Sequence, residues 1–483
     1  MIKIKFQTML NNIKQKLDGG TLELLSHGKN YVTASTMTSG LGLISIPIMT
    51  RLLSPSDYGI LSIFSTLAAI LGIIFGLGIR GAVSRYYYEK IDDFGSFITT
   101  NTLFVMGIGI LLSIVVFLNR IFISDLMNIP VSLVILAIFI AWMSSPYGLV
   151  GAFLQASKQS LLLSRISIVS AVFTLILTVI TTVSLSENLY LGSVYSLLTF
   201  SCMFFIFSIY MISKIGTWSF NTKHLKYSLV FGLPIIVHLL SGLILNSFDQ
   251  IMINKMIGSH ETGLYSFAYK VGMLFQMVII GLNQAWIPIF YEKLRDAKYK
   301  EIEDTAKKFT YLVSGAALLI TMLGPLLIII LAPETYSEAL SLVPVIIVGF
   351  LFQYFYFMYI NYAFYAKKTS MIAIITLIAG LINIGLNYWL IPIFGYAAAA
   401  WTTLATYALF FFMQYINVSY SIKEIKKIPL KIVVLPCLFS MGLIMISTAI
   451  STYIHQPIVL ILLQCSLVMI YLIPTFKRMK THV

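Results

Sequence analysis

Fourteen apolar stretches run through this 483-residue chain, and the basic residues in the gaps between them alternate between many and almost none. A backbone in hydrocarbon must satisfy its own hydrogen bonds, which a helix does, and roughly 20 apolar residues cross the core. The stretches fall at residues 30–50, 58–80, 97–118, 131–154, 161–184, 189–213, 228–249, 262–288, 309–332, 340–365, 370–391, 395–418, 432–452 and 456–474. Hydrophobic residues make up 59% of the chain and charged residues 10%, which excludes an ordinary soluble domain. The pattern predicts an all-α integral membrane protein of about 14 transmembrane helices.

The charges give the bundle a direction. With the N-terminus cytoplasmic, 28 of the 32 Lys and Arg fall in inner segments, and only Arg51, Arg120 and Lys255 in outer gaps. Lys270 is left inside an apolar stretch. That asymmetry obeys the positive-inside rule and predicts both termini in the cytoplasm. The net charge of +14 is therefore read as a topology signal, with lysines at lipid headgroups and no nucleic-acid partner. In residues 1–17, Phe6, Met9, Leu10, Ile13 and Leu17 recur at helical spacing opposite Lys14 and Lys16, the pattern of an interfacial helix. No cleavable signal peptide is expected ahead of the first span. Cys202, Cys437 and Cys465 have neither pairing nor metal spacing and read as packing residues. With short gaps throughout, and no nucleotide loop or His/Glu metal pair, the function is expected within the bilayer and without a cofactor.

The chain contains a repeat. IMTRLLSPSDYGILSIF (Ile48–Phe64) resembles IMINKMIGSHETGLYSFAY (Ile251–Tyr269): Arg51 falls on Lys255, Gly59 on Gly263 and Ser62 on Ser266. GIRGAVSRYYYEK (Gly78–Lys90) lies over GLNQAWIPIFYEK (Gly281–Lys293). The offset spans six helices, so the halves keep one orientation and form parallel repeats. The expected organisation is an interfacial segment 1–29, an N-lobe 30–213, and a C-lobe with its preceding linker 214–418. A linker, the last helix pair and a tail then occupy 419–483. Two similar lobes suggest a cavity opened to either side in turn.

The chain carries, in order, Thr50-Arg51-Leu52-Leu53-Ser54-Pro55-Ser56-Asp57-Tyr58-Gly59, Arg85-Tyr86-Tyr87, Phe231-Gly232-Leu233-Pro234, Asp249, and Gly263 through Lys270. Ala366 through Thr369 and Asn387 through Gly395 complete the series. These motifs together resemble the polysaccharide transporter family, flippases for lipid-linked oligosaccharides and O-antigen in the superfamily of multidrug and toxic compound extrusion proteins. Gln250 departs from it, standing where the family often has a basic residue. The resemblance implies lobes like those of the drug-extrusion members and a location in the bacterial inner membrane. It also implies a substrate: an oligosaccharide joined through diphosphate to a polyprenol such as undecaprenol, flipped outward for surface polysaccharide, lipopolysaccharide or capsule. Membrane lipids, and assembly partners such as a polymerase and glycosyltransferases, follow from the same resemblance.

A diphosphate in the membrane needs cations and fixed donors in place of water. Lys270, about 10 Å along a helix from Gly263, either snorkels outward or contacts phosphate inside the protein. Arg51 and Lys255, at one repeat position, serve either as an outer gate with Asp57 and Glu261 or as headgroup anchors. Arg80 and Arg85, after span 2, lie where a diphosphate would enter, and positive-inside anchoring explains them equally well. Asp249, with Asn246 one turn earlier on the same face, binds a coupling H+ or Na+ or caps structure. Membrane potential alone also drives an anion outward. The aromatic run from Tyr354 to Tyr365 is expected to be mostly lipid-facing and belt positions. The rival readings are a cation-coupled multidrug antiporter, which wants acidic cavity residues, and a membrane-embedded glycan polymerase or ligase, which wants a large outer loop.

Overall fold

The computed structural model describes residues 19–89, 93–368, 370–453, 466, 470 and 471. The expected interfacial helix at 1–17 and nearly all of the span at 456–474 lie outside the described residues. Within them every regular element is a helix. The first half of the chain forms α1 (Gly19–Leu52), α2 (Pro55–Gly76), α3 (Ile79–Glu89), α4 (Phe94–Leu118), α5 (Arg120–Met127), α6 (Val131–Ala156), α7 (Ser160–Val183) and α8 (Tyr190–Ile215). The second forms α9 (Thr222–Met256), α10 (Ser259–Arg295), α11 (Tyr299–Met322), α12 (Gly324–Leu331), α13 (Val343–Tyr365), α14 (Ser370–Phe394), α15 (Ala397–Ser421) and α16 (Leu430–Tyr453), with a 3-10 helix at Glu334–Leu342.

Ten of the described helices are long and apolar enough to cross a membrane. The expected spans at 30–50, 309–332 and 395–418 fall on α1, α11–α12 and α15, which are not among the ten. The start of α11 carries Lys300, Glu301, Glu303, Asp304, Lys307 and Lys308, and α15 carries Thr402, Thr403, Thr406 and Gln414. The expected span 309–332 is also two helices, broken at Leu323.

Two compact units divide the described chain: residues 19–52, 64–125 and 129–239, and residues 53–63, 126–128 and the described residues from 240. The boundaries fall inside α2, α5 and α9, so this division by packing differs in kind from the division by sequence repeat. In the first unit Ile79, Val83, Tyr86, Phe97, Val150 and Leu154, from α3, α4 and α6, form a closed apolar core. At Leu77 and Gly78 the chain turns with φ of 49° and 63°, separating α2 from α3. A Cβ on Gly78 would run into the Gly232 carbonyl oxygen, so the first half of α9 packs there backbone to backbone. The same half of α9 is tied by His224 Nε2, 2.7 Å from Asp93, under a Tyr86 ring stacked 3.8 Å from Phe97.

In the second unit α13 is the central helix, packed against α10, α11, α15 and α16. Its aromatic run is core: Tyr354, Phe355, Tyr356, Tyr359 and Tyr362 are buried and Phe364 is exposed. The belt expectation is corrected here. Helices surround α13 on most sides, and its phenols find partners inside. Tyr359 donates to the Ile428 carbonyl at 3.1 Å, and Tyr362 accepts from the Ile428 amide at 2.9 Å.

Candidate transport site

Pro55 and Ser259 open the first turns of α2 and α10, and these turns cross each other within the second unit. The Ser54 hydroxyl accepts from the Asp57 amide at 3.1 Å and donates to the Asp57 carboxylate at 2.7 Å, a capping arrangement that fixes the start of α2. The two backbones meet at Gly59 and Gly263. A Cβ on Gly59 would overlap the Ser259 carbonyl oxygen, and one on Gly263 the Pro55 carbonyl oxygen. One turn on, the Ser266 hydroxyl donates to Ser62 at 3.0 Å, and Ser62 donates to Gln250 Oε1 at 2.6 Å. Close approach through small residues with hydroxyl bonds beside it is how membrane helices lock together without a hydrophobic drive. The residues paired here, 59 with 263 and 62 with 266, are the pairs the sequence repeat aligns. Around the crossing, Tyr336 donates to the Leu53 carbonyl at 3.0 Å, and Asn254 donates to the carbonyls of Met127 and Asn128 at 2.6 and 2.9 Å.

The second half of α9 carries the principal buried polar cluster of this unit. Asp249 is 2% exposed. Its carboxylate accepts from the Tyr265 hydroxyl, from the Gln250 amide at 2.8 Å and, more weakly, from Thr403 at 3.5 Å. One turn earlier Asn246 Oδ1 accepts from Tyr407 at 3.1 Å and lies 3.4 Å from the Tyr269 hydroxyl. Behind them Asn387 donates to Asn383 at 3.0 Å, Asn383 donates to Thr406 at 3.3 Å, and Thr402 donates to Asn387. A carboxylate taken out of water must be met by donors or a cation. This one sits among hydroxyls and amides of α10, α14 and α15. The cluster is rich in oxygen ligands, which suit a hard monovalent ion or a proton. Among the described residues no three His, Cys, Asp or Glu side chains gather as a transition-metal site would need.

Lys270 is exposed, with Nζ 4.6 Å from the centroid of the Tyr58 ring, one residue past Asp57. Lys255 is exposed in the last turn of α9, and Glu261 is half-buried in the first turn of α10. Those residues, with Asp249, Asn246 and Asp57, belong to the second unit. Arg51, Arg80 and Arg85 belong to the first. Arg51 Nη1 donates to the Pro47 carbonyl at 3.0 Å, and Arg80 is exposed at the start of α3. Arg85 Nε lies 2.6 Å from Glu89, whose other oxygen accepts from Tyr227 at 2.8 Å. That bond from Glu89 pushes the Arg85 proton affinity up, so the guanidinium stays charged.

The structure thus joins Asp249 and Asn246 in one cluster and adds Tyr265, Tyr269, Tyr407, Thr403, Asn383 and Asn387, which sequence reasoning did not single out as site residues. A signal for them existed. Polar side chains four apart within apolar helices, as at 265 and 269 or 383 and 387, share a face.

Fold and polar interior together define a polytopic all-helical membrane protein with a buried carboxylate among hydroxyls and amides. A family model described as Polysaccharide biosynthesis protein matches residues 28–293, more than half the chain, and the chain belongs to that family. The MatE model matches residues 234–389. "Lsg locus putative protein 1" of Haemophilus influenzae is 26% identical over 364 residues, covering 71% of this chain and 85% of that protein. Among solved structures, "Lipid II flippase MurJ, inward closed conformation" superposes with a TM-score of 0.69 at 17% identity, over 93% of this chain and 99% of that one. An inward-facing multidrug resistance MATE family transporter of the MOP superfamily superposes with a TM-score of 0.62 at 15% identity, over 80% and 96%. These structures share the fold.

Proposed function

We propose that this protein flips a polyprenyl-diphosphate-linked oligosaccharide from the cytoplasmic to the outer leaflet of the bacterial inner membrane, for surface polysaccharide synthesis. Both termini are then cytoplasmic, a reading the Lys and Arg distribution supports. The observation that carries the reading is the polarity of the charges inside the spans. Lys270, a positive charge deep in a span, is exposed, whereas Asp249, a negative one, is consumed by hydrogen bonds. An anionic headgroup finds a partner in that arrangement, and a cationic drug does not. Lys270 supplies a cation that takes the place of water around the diphosphate.

The halves 30–213 and 214–418 alternate access, and the crossing of α2 and α10 is a seal that parts in each cycle. Asp249 and Asn246 hold the coupling ion, H+ or Na+, in the ion-driven form of this mechanism. Asp57 and Glu261 stand at the starts of the two crossing helices. The potential contributes about 2.3 kcal/mol per charge per 100 mV in the outward direction for an anion.

The test is reconstitution in vesicles with a fluorescent polyprenyl-diphosphate oligosaccharide, reading how fast an added quencher or lectin gains access to it. Protein-dependent translocation is expected. Organic-cation transport without lipid translocation assigns the chain to drug export, and polymerised glycan assigns it to synthesis.

A further inference from the structure

A cavity of about 650 Å³ lies between α11 and α16, apart from the Asp249 cluster. Its wall changes character along its length. At one end stand Glu303, Asp304 and Lys307 from the opening turns of α11 and Lys431 from the start of α16. Beyond them come Tyr311, Leu435, Phe439 and Tyr471. From Lys431 to Phe439 the helix rises about 12 Å. Leu435 and Phe439 are 61% and 52% exposed, so the apolar end continues onto open helix surface. A charged mouth with a greasy track below it has the shape of a phospholipid rather than of a soluble metabolite.

The signs of the charges narrow the headgroup. Glu303 is taken by Lys426 at 3.0 Å. Among the described residues Asp304, Lys307 and Lys431 form no ion pair with one another or with any other side chain. Two cations and one carboxylate remain. A purely anionic headgroup would meet the lysines and be opposed by Asp304. A headgroup carrying a phosphate and a primary ammonium meets all three. The phosphate takes charge-assisted bonds from Lys307 and Lys431, and the ammonium donates to Asp304.

We propose that this cavity binds a zwitterionic phospholipid with a primary ammonium, of the phosphatidylethanolamine kind, its acyl chain lying along Leu435 and Phe439. The lipid fills the wedge between the starts of α11 and α16. The inference rests on membrane embedding alone and stands whatever the transported cargo is.

The experiment uses the purified full-length protein in detergent. Phosphatidylethanolamine, phosphatidylcholine or phosphatidylglycerol is added with matched chains, and retained lipid is counted by native mass spectrometry beside thermal unfolding. Phosphatidylethanolamine is expected to be retained about tenfold better than phosphatidylcholine, whose methylated nitrogen donates no hydrogen bond, and to raise the unfolding midpoint. Asp304→Asn should erase that preference, and Lys307→Ala with Lys431→Ala should weaken both lipids. The selectivity series on the unaltered protein decides the matter even where a variant expresses poorly. Equal retention of the three lipids, a preference for phosphatidylglycerol, or a phosphatidylethanolamine preference that survives these substitutions overturns the proposal. Displacement of the bound lipid by an equimolar polyprenyl diphosphate would give the cavity to the cargo and overturn it too.

Discussion

Lys270 holds its charge against an aromatic face and not against a carboxylate, which leaves the ammonium free to exchange partners. A cation over a phenol ring gains about 0.5–2 kcal/mol, less than a charge-assisted bond to phosphate offers. Lys270→Ala is therefore expected to reach the membrane at normal levels and to slow lipid translocation by roughly ten- to a hundredfold, the equivalent of losing one bond of about 1.5–3 kcal/mol. Lys270→Arg should retain most of the rate. Full activity of Lys270→Ala in the quencher assay would remove this lysine from the transport path. Asp249 makes the opposite demand, since its oxygens are already occupied. Tyr265→Phe takes one donor away, and a bond between membrane helices averages about 0.6 kcal/mol. A small drop in thermal midpoint is expected, together with a changed ion requirement. Asp249→Asn should keep the fold and abolish any dependence of transport on H+ or Na+ gradients. A gradient response unchanged in that variant would confine Asp249 to structure.

At the scale of elements, the crossing of α2 with α10 is the most testable contact. It has backbone on both sides at Gly59 and Gly263 and no side chain to give way. Gly59→Ala or Gly263→Ala forces the helices apart, at about 1–3 kcal/mol by the usual cost of overpacking. Easier thiol labelling of a cysteine at position 62 is the expected readout. In Ser62→Cys/Ser266→Cys the two hydroxyl oxygens, 3.0 Å apart in the native pair, become sulfurs within bonding reach. Oxidation should stop translocation and reduction restore it. Transport that continues in the cross-linked protein would show that this contact never opens.

Much of this element was legible in the sequence. Gly59, Gly263, Ser62 and Ser266 stand out as repeat equivalents, because charge and glycine positions recur where apolar composition alone would not mark them. Their mutual contact was not legible, since equivalence in a repeat says nothing about proximity. The aromatic run of α13 was misread for a related reason. Rings all round a helix suit lipid and a protein interior alike, and only the neighbours decide. The Asp249 cluster was half visible. Asp249 and Asn246 share one helix, whereas Tyr407 and Asn383 come from helices more than 100 residues away.

At the scale of the molecule, the alternation of basic gaps makes a prediction that needs no site. Cysteines introduced near Lys223, Lys298 and Lys426 should react with an impermeant reagent only from the cytoplasmic side, and one near Lys255 only from outside. The reverse pattern would invert the direction of transport proposed here. The single carboxylate of the buried polar cluster has an electrical consequence as well. One acid among neutral groups can balance one positive charge and no more. Export of a doubly charged headgroup is then an electrogenic event of two elementary charges alone, or of three when an ion enters in exchange. At 100 mV the difference is about 2.3 kcal/mol. The voltage at which flux reverses, measured in vesicles with and without an opposing gradient, counts those charges and so reads the stoichiometry.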